Sequence, residues 1–318
     1  MNVSEIRSAT VSCSDLEASL RFWRDLIGFE EVWRCSIGGS EVERAWGVPA
    51  RTRAAVAFLR YDGIETGQLR LVQFTPYQTT HVRARTDSAW AIGVVALDCN
   101  VRDPEKTFAL LREAGYESES AQPLYYVVDG LQQSEVLFYT PDDVRLVLVG
   151  AMNYSPDMAR PGVSGHFGAL TTISQFVADM DASVRFYREG LGLEQVFDAW
   201  IDDATRPIVN KMAGIPEHAE LRLAAHRRPG EPDGKHLLLQ TRGVPVVSIA
   251  EKMQPPNLGI VMLSHATDDL NGLRARILEY GGQLVTEPGA IAVGGHRTAC
   301  SFLARAPQGV LLEFYQEE

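Results

Sequence analysis

At 318 residues, with 45% hydrophobic and 22% charged side chains, the chain can bury two ordinary cores and has the composition of a globular protein. A formal net charge of −11 argues against nucleic-acid and anionic-membrane partners, both of which need a basic surface. Cys13, Cys35, Cys99 and Cys300 form no CxxC pair, and no apolar run reaches the roughly 18 residues of a membrane span. Free thiols, a cytoplasmic setting and a small-molecule partner are expected.

In chain order, "IRSATVSCS" alternates as a strand with Ser8, Thr10 and Ser12 on one face. A helix follows, with Ser14 and Glu17 as a capping box, Leu16, Leu20, Trp23 and Ile27 at helical spacing, and Gly28 at the C-terminal cap. "EEVWRCSI", "AAVAFLRY" and "QLRLVQF" read as three further strands. "IGVVALDC" opens a second unit, whose helix "DPEKTFALLREAG" has Pro104 at its start and Gly115 at its end, followed by a hairpin turned at Pro141. Residues 167 to 318 repeat this order.

The repetition is also one of sequence. "DLEASLRFWRDLIGFEEV" from Asp15 lies over "DMDASVRFYREGLGLEQV" from Asp179 at a constant offset of 164, and "GVVALDCNVRD" from Gly93 lies over "GIVMLSHATDD" from Gly259. Val147 thereby falls on Glu313. The chain reads as a tandem duplication of α+β character, with four β-α-β-β-β modules. The domains are 1–150, a linker at 151–165, and 166–318. No module is large enough for its own core, so pairs must join their sheets, and pairing within each half is expected. "AWGVP" and "MAGIP", residues 45–49 and 212–216, are read as turns lying over a cavity.

The two helix motifs and the closing "APQGVLLEF" resemble the vicinal oxygen chelate superfamily of glyoxalases, bleomycin-resistance proteins and extradiol dioxygenases. The resemblance implies paired modules, each pair a curled mixed sheet around a cavity. It also implies, in metal-dependent members, a His about seven residues before the Asp that opens each helix and a Glu on each last strand. Here Ser8, Ala96, Thr172 and Met262 stand in the His slots. Arg70, Val147, Leu237 and Glu313 stand in the Glu slots, so only Glu313 keeps a donor. His265 has the wrong parity to face the cavity of an undistorted strand.

Glu313 is accordingly read as a general acid or base among apolar walls, with Tyr315, His226 and His296 as catalytic partners. Thr172, Ser174, Phe176, Met262, Trp200 and Arg70 are the candidate substrate-binding residues, in a cavity of the C-terminal domain. A carboxylate salt-bridged inside the sheet is the alternative for Glu313, and Arg70 either binds an anionic substrate or pairs structurally. No cofactor is expected. The function read from these residues is a metal-independent lyase or isomerase acting on a small, apolar or aromatic, carbonyl-bearing metabolite. A bleomycin-resistance-like sequestration protein and an enzyme with a noncanonical His/Glu divalent metal site are the alternatives. A homodimer is an assembly open to such a chain.

Overall fold

The computed structural model describes residues 2–76, 80–128, 131–151, 163, 165–293 and 297–317. Module 1 comprises β1 (Ser8–Ser12), α1 (Leu16–Leu20) with a wider helical turn over Arg21–Ile27, β2 (Glu30–Gly38), α2 (Ser40–Trp46), β3 (Arg53–Tyr61) and β4 (Ile64–Thr75). Module 2 has β5 (Gly93–Val101), α3 (Pro104–Glu113), β6 (Glu117–Ser118), β7 (Leu124–Val128), β8 (Leu131–Tyr139) and β9 (Arg145–Ala151). In module 3 these become β10 (Phe167–Phe176), α4 (Met180–Arg185) with a turn over Phe186–Gly190, β11 (Glu194–Trp200), α5 (Arg206–Ala213), β12 (Glu220–Arg227) and β13 (Lys235–Arg242). Module 4 closes the chain with β14 (Gly259–Ala266), α6 (Leu270–Glu279), β15 (Gln283–Leu284), β16 (Gly289–Val293), β17 (Arg297–Arg305) and β18 (Leu311–Glu317).

The first helix of every module starts the same way. Asp15, Asp103, Asp179 and Asp269 each accept the backbone N–H three residues ahead, satisfying a donor that the first helical turn leaves open. The cap of α1 is thus Asp15, next to the expected Ser14, while Gly28 ends that helix at φ 102° as its spacing implies. "AWGVP" and "MAGIP" are the ends of α2 and α5, which close at Gly47 and Gly214 with φ of 64° and 68°.

Modules do not pair within their own half. β1 runs antiparallel to β14 and β5 antiparallel to β10, so modules 1 and 4 share one sheet and modules 2 and 3 the other. The strand order is β15-β17-β18-β14-β1-β4-β3-β2 in the first sheet and β11-β12-β13-β10-β5-β9-β8-β6 in the second. Alternation along a strand fixes which face is buried but not which module's edge it meets, so local pattern left this choice open. Helix α2 reaches across to β16 and β17, and α5 across to β7 and β8, closing over the inner face of each sheet.

The two sheets meet along β4 and β10. A Cβ on Gly67, which has φ 66°, would lie 2.0 Å from the Leu170 carbonyl oxygen, so only glycine permits this approach. A directed chain of buried neutral groups also crosses the seam. The Ser4 carbonyl can only accept, so His265 donates to it through Nδ1 (2.9 Å), and His265 Nε2 accepts from His236 Nε2 at 3.2 Å. His236 Nδ1 then accepts from Gln175 Nε2 at 3.0 Å, and Gln175 Oε1 accepts from Tyr187 and Gln308. Burial holds His236 well below, and His265 below, the usual imidazole range, in keeping with both rings being neutral. Among the described residues no helix is long and apolar enough to cross a membrane.

Candidate functional site

Parallel pairing within each module puts a residue of the first strand beside one of the last, and the antiparallel joins bring two such pairs together. In the first sheet Thr10 lies opposite Arg70 and Ser264 opposite Glu313. In the second, Ser174 lies opposite Leu237 and Asp98 opposite Val147. The β1–β14 and β10–β5 joins change register directly after Thr10 and Ser174, respectively, so both quartets sit beside a bulge, a feature that re-aims side chains. The first-strand members stand five residues before each capping Asp, two closer than the slots expected from the resemblance.

The first quartet is sealed. Arg70 donates from Nη2 to Glu313 Oε2 at 2.8 Å and from Nε to Thr10 Oγ1 at 2.9 Å, and Ser264 Oγ donates to the same Glu313 oxygen at 2.7 Å. Arg70 is 2% exposed and Glu313 0%. The Trp46 ring from α2 covers the guanidinium at 5.2 Å. Glu313 is therefore the salt-bridged carboxylate of the alternative reading, and Arg70 the structural partner. Its second oxygen, Oε1, is enclosed without a hydrogen-bond partner among the described residues. The metal that the resemblance implies does not fit here, because a guanidinium cation already holds the one carboxylate and the remaining donors are two hydroxyls.

The second quartet keeps a carboxyl group to which, among the described residues, no counter-ion is bound. Asp98 is hydrogen-bonded to Ser174 Oγ, at 3.0 Å from Oδ2 and 3.3 Å from Oδ1. Burial among Val147, Leu237 and Ala96 holds its pKa well above the usual carboxylate range, and the charge of Glu135 adds to this, while the Ser174 bond and Lys235 oppose it. Asp98 and Ser174 are 6% and 7% exposed, against 0% for Thr10 and Ser264. Leu237, Val149 and Thr172 on the same inner face are only half-buried. This face carries its own apolar cluster, separate from the main core, in which Phe176 and Leu239 pack with Val209 and Met212 of α5. Two aliphatic residues and one acid cannot form a metal site, and among the described residues no group of three or more His, Cys, Asp or Glu is arranged to hold one.

The single C-terminal cavity expected from sequence is therefore divided. Glu313, Arg70, Met262 and Tyr315 belong to the first sheet, where Met262 is fully buried and Tyr315 half-buried beside Ser301. Thr172, Ser174 and Phe176 belong to the second. His226 belongs to β12 of the second sheet, not to the sheet of Glu313: it is buried beside Tyr187, with neither ring nitrogen hydrogen-bonded among the described residues, and burial lowers its pKa to about 4. Trp200 lies on the edge strand β11, 39% exposed beneath Arg242. His296 and most of the expected linker fall outside the described residues. His265 points away from the inner face, as its parity requires. Asp98 was missed, although its signal was the one that singled out Glu313: a lone carboxyl in an apolar strand, "GVVALDC".

The Glyoxalase/Bleomycin resistance protein/Dioxygenase superfamily model matches residues 5–148 and 163–314. No curated protein matches the chain. Among solved structures, glyoxalase I from Zea mays is 14% identical with a TM-score of 0.65, covering 99% of this chain and 93% of that one. A point mutant of that glyoxalase I has the same identity and coverage with a TM-score of 0.68. A putative dioxygenase from Bacillus subtilis subsp. subtilis str. 168 is 11% identical with a TM-score of 0.59, covering 99% of this chain and 86% of that one. At these identities the likeness is one of fold. With both repeats matched almost end to end, the chain belongs to the Glyoxalase/Bleomycin resistance protein/Dioxygenase superfamily.

Proposed function

We propose that the protein is an acid–base enzyme, a lyase or isomerase, that takes a small, largely apolar, carbonyl-bearing metabolite on the inner face of the second sheet. Asp98 is the group that works on the carbonyl oxygen, and no protein-held metal takes part. The observation that carries this reading is the buried Asp98, whose carboxyl group among the described residues is hydrogen-bonded to a serine hydroxyl alone, is bordered by half-buried aliphatic side chains and has its pKa raised by burial. A carboxyl group kept protonated near neutral pH donates a strong hydrogen bond to a carbonyl oxygen and so acidifies the adjacent carbon. Glu135, half-buried on the same face and close enough for Asp98 to feel its charge, is the carboxylate that takes the carbon-bound proton. In an isomerisation that proton returns to the neighbouring carbon; in an elimination the leaving group departs as the proton is removed.

Solvent deuterium exchange into a panel of aryl and branched-alkyl ketones and 2-oxo acids, followed by NMR, tests the reading. Exchange catalysed by the wild type and lost in Asp98→Asn is the expected result. Tight binding of panel members with no exchange would favour the sequestration reading, and exchange that survives Asp98→Asn would remove Asp98 from the chemistry.

A further inference from the structure

The inner face of the second sheet also carries a buried guanidinium, that of Arg145. Arg145 shares its side of β9 with Val147 and Val149 and stands two residues from the Val147 that lies opposite Asp98. A two-residue step along a strand is roughly 6.6 Å. Arg145 is only 4% exposed, yet among the described residues its guanidinium makes no hydrogen bond and no ion pair. A ring contact with Tyr139 lies at 5.8 Å.

The carboxylates near enough to influence it are all engaged elsewhere. Glu119 accepts from the Tyr139 hydroxyl, Asp143 from Arg85, and Asp87 from the Ala84 backbone and Lys252. A second buried guanidinium, Arg83, lines a narrow crevice together with Arg145 and spends its donors on the backbone carbonyls of Ser88, Ala89, Ala91 and Val94. Burial lowers the pKa of both arginines, and the charge of Arg145 adds to the lowering at Arg83. An unpaired buried cation costs several kcal/mol, which a fold retains where a ligand supplies the missing charge.

We infer that Arg145 is an anion subsite, and that the ligand is an acid whose carboxylate is held by Arg145 while its carbonyl oxygen meets Asp98. This rests on the reading of the second sheet as the ligand site and narrows it to oxo acids with an apolar or aromatic body. The planar guanidinium offers two parallel N–H donors to a carboxylate, a geometry that lysine cannot reproduce. Position 311, the counterpart of Arg145 in the fourth module, is Leu311, buried in the core, so the subsite belongs to one sheet alone.

The test compares two probes that differ only in the anionic group: 4-oxo-4-phenylbutanoate and the neutral ketone butyrophenone. Titration calorimetry is run on wild type, Arg145→Met, Arg145→Lys and Asp98→Asn, each checked for a native circular dichroism spectrum. The wild type binds the acid at least tenfold tighter than the ketone. Arg145→Met loses that preference while keeping its affinity for the ketone, and Arg145→Lys keeps part of it. An acid-to-ketone ratio unchanged by Arg145→Met overturns the subsite. Asp98→Asn weakens both probes; if it weakens neither, the reading of Asp98 fails while the subsite stands. Failure of both probes to bind wild type at millimolar concentration counts against the two together.

Discussion

Each sheet sets a buried carboxyl and a buried guanidinium on its inner face, Glu313 with Arg70 in the first and Asp98 with Arg145 in the second, and the two sheets use them in opposite ways. In the first, Arg70 and Glu313 hold each other at 2.8 Å and are shut off from solvent. In the second, Asp98 has only a serine hydroxyl, and Arg145, two residues along the neighbouring strand, has no bound acceptor among the described residues. The same duplicated fold has thus given a closed internal ion pair on one side and two groups short of partners on the other. Groups left short of partners in a folded core are costly, and that cost is characteristic of sites arranged for a ligand.

The largest effect is expected where the pair is broken. Glu313→Gln leaves Arg70 buried and unpaired and should cost about 3–5 kcal/mol in urea unfolding. Replacing both partners, Arg70→Met with Glu313→Leu, should recover most of this, because the desolvation of two charges disappears together and the unpartnered Oε1 goes with them. A double variant no more stable than the single one would mean that the pair is more than a sealed structural contact.

Next in size is the effect on chemistry. Loss of the proton-donating group in Asp98→Asn should lower turnover by roughly 10²-fold or more, the usual contribution of a positioned acid, while the Arg70→Met, Glu313→Leu double variant keeps near-wild-type turnover per folded molecule. Equal loss in both would erase the distinction between the sheets.

The pH dependence of stability gives a smaller signal with a defined sign. The folded pKa of Asp98 lies above its unfolded value of 3.8, so its contribution is fully present below about that pH and is lost as pH rises through the folded pKa. Asp98→Asn should flatten this decline. His226 has the opposite sense: its folded pKa of about 4 lies below its unfolded 6.5, so stability present above 6.5 is lost as pH falls toward 4. His226→Phe, which also removes two unpartnered ring nitrogens, should blunt the acid loss between those values and leave stability at pH 8 equal or slightly higher. An unaltered acid limb would assign that loss to other groups.

Much of the fold was legible because it is written in periodicity: helical spacing ended by glycine, alternating strands and a repeat that aligns with few gaps, although the first helix is capped by Asp15 and not by the expected Ser14. The pairing of modules was not, since a two-residue alternation reads the same whichever edge it joins. That one unknown assigned Glu313 and Ser174 to a single cavity, although they lie in different sheets. Arg70 was named both as an anion binder and as a structural partner, and only the contact with Glu313 across 243 positions of sequence decided between them. Asp98 and Arg145 escaped notice for a related reason. Counting seven residues back from the helix cap passed Asp98 by two and landed on Ala96, and Arg145 became informative only through what fails to bind it.

The central claim is that Asp98 is a ligand-directed acid and Glu313 a structural base, and the unfolding free energy of Asp98→Asn at pH 8 tests it most directly. The account predicts a variant at least as stable as wild type, since an amide removes the cost of a buried carboxyl and can still bond to Ser174. A loss of stability approaching that of Glu313→Gln would show that Asp98 is as tightly paired as its counterpart, and would contradict the account.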